Sequence, residues 1–168
     1  MRAMVIDRIV SLADDEAPLA SVELPDPEPG PGEVRIRVSA CGVCHTELDE
    51  IEGRTAPPRL PVVPGHAIVG RVDKIGKSAT RFAVGDRVGV GWIHASSGEP
   101  DENLSPDFEA TGRDVDGGYA EYMTVPETYA YPIPEVFSDA EAAPCCVPAG
   151  LATGRCGSPA SRTASGSA

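Results

Sequence analysis

Eighteen glycines and seventeen prolines are scattered along these 168 residues. Few long helices survive such a density of breakers, because glycine adds backbone freedom and proline removes a hydrogen-bond donor. Short strands joined by turns are what such a chain can build. Glu33 to Ala40 alternates Val34, Ile36 and Val38 with Arg35, Arg37 and Ser39, the two-residue period of a half-buried strand. β-Branched, Gly-punctuated runs predict further strands over 67–75, 87–93, 119–125 and 129–133, with a turn at Gly85 and Asp86. Val43 to Glu52 holds few breakers and is expected to form a short helix with Val43, Leu48 and Ile51 facing inward. Ser138 with Glu141 three residues on is a capping box that opens a second helix. The fold class is therefore mainly β, a barrel or a sandwich with a few short helices.

Ser96 to Gly118 is polar, acidic and aperiodic, and is expected to be a long surface loop. Thr153 to Ala168 contains no Val, Ile, Leu, Met, Phe, Trp or Tyr, so it cannot bury apolar surface. We expect one domain over 1–150 and a disordered tail over 151–168.

A formal net charge of −12 repels phosphate backbones and anionic lipids, so nucleic acid and membrane surfaces are excluded as partners. No run of apolar residues is long enough to span a bilayer. Arg2, Asp7 and Arg8 interrupt the first ten residues, unlike a signal peptide, so a cytoplasmic protein is expected. In that compartment the five cysteines are thiols or metal ligands rather than disulfides.

Cys41, Gly42, Val43, Cys44 and His45 form the first chemical constellation. A C-x-x-C-H run is also the attachment signal of c-type haem, and a bare C-x-x-C is a redox motif. Haem attachment requires export, and the redox motif requires a thioredoxin-like flank; neither is visible. Two readings remain: a pair of buried thiols, or Cys44 as a metal ligand with partners elsewhere. Pro64, Gly65 and His66 supply such a partner, an imidazole after a tight turn. Zinc accepts thiolate and imidazole in one tetrahedral shell, and a catalytic site leaves one position open.

Taken together, Gly-Val-Cys-His-Thr-Glu over 42–47, Pro-Gly-His over 64–66, Gly-Asp-Arg-Val over 85–88 and Asp-Gly-Gly-Tyr-Ala-Glu-Tyr over 116–122 resemble the zinc-dependent medium-chain alcohol dehydrogenase family, in order and spacing, from about Met4 to Pro144. The resemblance implies a GroES-like, partly open β-barrel, normally followed by a Rossmann domain that binds NAD(P). It implies oxidation of a small alcohol, or reduction of an aldehyde. Carried over by motif, Cys44 and His66 are ligands of a catalytic Zn2+, Thr46 takes the substrate proton and His45 contacts the cofactor pyrophosphate. Two rivals remain: a zinc-free quinone or enoyl reductase-like domain, and a non-catalytic barrel that serves as a binding module.

The chain departs from the family pattern in several places. Ala67 replaces the acidic residue that usually follows the ligand histidine, and Asp49 replaces a relay histidine. No cysteine lies between Cys44 and Cys145, so the structural zinc of many relatives is not expected. Where the family supplies its third zinc ligand, after Ala142, Ala143 and Pro144, the aligned residue is Val147; Cys146, one residue away, is the candidate in its place. Reading Cys145 to Ala149 one base earlier yields the family's Leu-Leu-Cys-Ala-Gly, so we expect a frameshift near the Pro144 codon. No G-x-G-x-x-G followed by a helix occurs in the 168 residues, so the chain is expected to be inactive alone. A barrel without its Rossmann partner is also expected to expose an apolar face and to self-associate.

Overall fold

The structure is a computed structural model that describes residues 1–146. The expectations for Val147 and for the tail over 151–168 concern residues outside that range. Nine strands and two short helices are assigned: β1 Arg2–Ile6, β2 Leu19–Glu23, β3 Glu33–Cys41, α1 His45–Ile51, β4 Ile68–Ile75, β5 Arg87–Val90, β6 Ile93–Ala95, β7 Glu109–Ala110, β8 Tyr122–Pro126, β9 Ala130–Pro132 and α2 Asp139–Ala142. An antiparallel five-stranded sheet runs in the order β8-β3-β4-β5-β9, and β1-β2 and β6-β7 form two-stranded ribbons. The fold is mainly β and GroES-like, with the large sheet curled into a half-barrel. Register shifts in the β3–β4 pairing, at Arg35/Ile36 and Val38/Ala40, locally increase the twist that such curling requires. Isolated bridges from Ala3 to Ala120 and from Ile6 to Val62 tie the β1-β2 ribbon to the rest.

Alternation fixes which face of β3 turns inward. Val34 and Ile36 are fully buried with Ile68, Val72, Val88, Val90, Met123 and Val125, while Arg37 and Ser39 face out. Gly70 on β4 is required by close approach, since a Cβ there would lie 2.3 Å from the Arg37 carbonyl oxygen. Buried Arg87 closes the far end: its guanidinium donates to Asp139 and to the carbonyls of Pro134 and Phe137, at 2.7–2.8 Å. The Ser138 capping box forms as expected at the start of α2.

Three local expectations are corrected. Val43 is 82% exposed, because α1 begins only after Cys44 and Val43 lies in the preceding link. The inward face of α1 instead holds Glu47, Glu50 and Ile51. The stretch over 87–93 is two strands, broken at Gly91 and Trp92. The segment over 96–118 is a surface loop only in its first half. Ala110, Thr111, Gly112, Gly117 and Gly118 are buried, because β7 pairs with β6 and the Gly117 and Gly118 amides donate to Val63 and Gly65. Backbone hydrogen bonds, not apolar side chains, draw this segment inward, so hydropathy gives no sign of it. Among the described residues no helix is long and apolar enough to cross a membrane.

Candidate active site

The site forms where α1 meets the turn before β4. Cys44 is the N-cap of α1, and its backbone N–H donates to Glu47 Oε2 at 2.7 Å. This is the second half of a capping box, and it fixes the Glu47 side chain under the first turn. The Glu47 carboxylate is 2% exposed, and its other oxygen, Oε1, lies 2.9 Å from His66 Nδ1. Gly65, with φ +98°, makes the turn that delivers His66; a Cβ there would lie 2.5 Å from the Tyr119 ring. His66 is itself only 4% exposed.

The Cys44 thiol lies near enough to the His66 ring for each to shift the other's ionisation. Partial burial works to raise that thiol, but hydrogen bonds from the Thr46 hydroxyl and backbone, and from His66, outweigh it and hold Cys44 below its ordinary value. Burial likewise works to lower His66, and the contacts with Glu47 and Cys44 outweigh it in the other direction. The two further thiols near the sheet behave differently. Burial pushes Cys41 up to about 12 and Cys146 up to about 11. Among these three thiols, only Cys44 is shifted toward the thiolate, the form that binds metal.

The remaining predicted residues are spread out. Thr46 Oγ1 lies 3.5 Å from Cys44 Sγ. His45 is exposed, with Nε2 3.8 Å from Asp49 Oδ1. Cys146 is not brought to Cys44 and His66: its thiol donates to the carbonyls of Ile68 and Ala142 at 3.5 Å and packs with Val69, Ala142 and Ala143. Among the described residues no group of three His, Cys, Asp or Glu stands where it could hold a metal ion.

The profile of the alcohol dehydrogenase GroES-like domain matches residues 30–135. The chain belongs to this family. It is 38% identical over 151 residues to an alcohol dehydrogenase of Geobacillus stearothermophilus, a match covering 86% of this chain and 43% of that protein. Among solved structures, an NAD-dependent alcohol dehydrogenase superposes with a TM-score of 0.77 at 35% identity, over 85% of this chain and 42% of the other. A cobalt- and zinc-bound thermostable alcohol dehydrogenase from Pyrobaculum aerophilum superposes with a TM-score of 0.75 at 28% identity, over 87% and 44%. The GroES-like chain thus spans less than half the length of these relatives.

Beside Thr46 and His66 opens a cleft of about 320 Å3 whose wall includes Glu50, Trp92, Thr111 and Arg113. The sequence carried Glu47 only as the last residue of a motif, without a role, and did not single out Glu50 or Arg113. A signal existed for the first two: they stand three apart in a seven-residue helix, a spacing that puts both on one face. Nothing in the sequence indicated that this face is the buried one. Burial, with Glu47 adjacent, pushes the Glu50 carboxyl up to about 8.

Proposed function

We propose that this chain is the metal-binding, substrate-side domain of a zinc-dependent alcohol dehydrogenase that oxidises small alcohols, or reduces aldehydes, with NAD(P). The observation that carries the reading is the Cys44 thiol, held below its ordinary value against an imidazole whose Nδ1 faces the buried Glu47 carboxylate. Thiolate, imidazole and an orienting carboxylate behind the imidazole are the donor chemistry that zinc takes. Glu47 offers the carboxylate that Ala67 lacks. Cys44 and His66 would hold the ion; Cys146 joins them only if its thiol leaves the Ile68 carbonyl. The metal and the NAD named for the solved relatives support the same assignment here.

Zinc, when bound, lowers the pKa of a hydroxyl it polarises. The rest of the chemistry falls to the chain's own side chains. Thr46, which lines the cleft with His66, is assigned the proton leaving the substrate hydroxyl. His45 is assigned the cofactor pyrophosphate on the motif it shares with the family, and its imidazole is exposed. Glu47 orients His66. Turnover by the 168 residues alone is not expected, since hydride transfer requires a bound nicotinamide.

The test is metal content after zinc loading and exhaustive dialysis. About one zinc per chain is expected. Cys44→Ser and His66→Ala should each lose it, and cobalt loading should give a thiolate charge-transfer band that Cys44→Ser abolishes. Zinc near zero in the unaltered chain, or unchanged in both variants, would overturn the assignment and favour a zinc-free, reductase-like domain.

A further inference from the structure

The wall of the cleft is largely apolar, but it carries a few polar side chains, Glu50, Thr111 and Arg113 among them. Three buried side-chain N or O atoms of that wall, Glu50 Oε2, Trp92 Nε1 and Thr111 Oγ1, have no hydrogen-bond partner among the described residues. Their concentration at one cleft marks a site that asks for a partner, since a buried polar group without one is penalised by its lost hydration. Glu50 and Thr111 are 2% and 1% exposed. Arg113, about one-third exposed, adds an accessible donor. Its Nε and Nη2 donate to Asp114 at 3.2 and 2.8 Å, while Nη1 has no partner among the described residues.

We propose that this cleft selects small neutral alcohols bearing a second oxygen, diols or short polyols, over plain alkyl alcohols, with Arg113, Glu50 and Thr111 receiving the additional hydroxyl. A hydroxyl both donates and accepts, so it can satisfy the Glu50 carboxyl, the Thr111 hydroxyl and the Arg113 guanidinium. An alkyl chain in the same space leaves those groups unpaired, which is how a polar site rejects an analogue lacking the group it was built for. A carboxylate substrate gains less, because Asp114 already occupies the Arg113 fork and Glu50 stands close by. The volume, near the lower end for ligand pockets, restricts the substrate to a small molecule.

This inference rests on the cleft being the substrate site of the proposed dehydrogenase, and its test separates the two. Trp92 is the chain's one tryptophan and lines the cleft, so its fluorescence reports occupancy. The full 168-residue chain, zinc-loaded, is titrated with 1,2-propanediol and with 1-propanol, and zinc content is measured on the same samples. The diol should bind at least roughly tenfold more tightly. Arg113→Met and Glu50→Leu should each reduce that ratio to about twofold or less, while Glu50→Gln, which keeps the shape and hydrogen bonding, should preserve it. Equal affinity for the two alcohols, an unchanged ratio in both Arg113→Met and Glu50→Leu, or no saturable response to either alcohol would overturn the proposal. Zinc retained without a diol preference sinks only the selectivity. A diol preference without zinc sinks the metal assignment alone.

Discussion

Replacing Glu50 by glutamine tests the electrostatics of the α1 inward face directly. An ordinary glutamate ionises near 4.5, whereas Glu50 in the folded chain holds its proton to about 8, raised by burial and then by the Glu47 charge. Between those limits the folded state binds more protons than the unfolded state. Stability therefore falls as pH rises through that window, by about 1.4 kcal/mol per pH unit, and the fall ends above about 8. From about pH 6 to about pH 8 this group alone removes about 2–3 kcal/mol. Glutamine keeps the size and polarity of the side chain and cannot ionise. Urea unfolding, followed by Trp92 fluorescence with a chelator present, should show the variant gaining that 2–3 kcal/mol on the unaltered protein as the pH is raised. His94 titrates in both proteins, so its contribution cancels in the difference, while the attraction between His66 and ionised Glu50 is part of the effect measured. A difference that stays constant across this pH range would refute the reasoning, because Glu50 would then ionise as it does in the unfolded chain.

Glu47→Gln should weaken zinc binding roughly 10–100-fold while leaving the fold intact, read by competition with a zinc chelator and by circular dichroism. Arg87→Met removes the guanidinium that donates to Asp139, Pro134 and Phe137, and should destabilise the domain by about 3 kcal/mol in urea unfolding. The exposed half of the loop carries no cysteine and is tied down by Tyr129, which donates to Glu102 Oε2 at 3.0 Å, and by Ser96, which donates to the Glu102 carbonyl at 2.6 Å. Tyr129→Phe should therefore speed proteolytic cleavage within 96–109 several-fold, and a chelator should leave the cleavage pattern unchanged.

The strands of the half-barrel were legible because their evidence is local. A two-residue period needs no knowledge of the partner strand, so β3 over Glu33–Cys41 and β4 over Ile68–Ile75 lie within a residue of their predicted bounds. β1 and β2 were not read as strands; Leu19–Glu23 has no fully buried residue, and the ribbon is anchored through Ala3, Val5 and Ile6 of β1, which pack with Val62 and Val63. The inward turn at Ala110–Gly112 was hidden for a related reason. Its amides donate to the carbonyls of Trp92 and Val115 and to the Asp114 carboxylate, and no hydrophobic period encodes those bonds.

The order of the Cys44, His66 and Gly117–Gly118 motifs determined the family, and the glycine and proline punctuation determined the β architecture. Those are properties of composition and spacing, which the chain carries whether folded or not. Tertiary structure alone decided that Cys44 and not Cys41 or Cys146 is the low-lying thiol, that Glu47 stands behind His66, and that Glu50 and Arg113 share a cleft. Burial and proximity set the behaviour of each ionisable group, and both arise only when segments distant in sequence pack together.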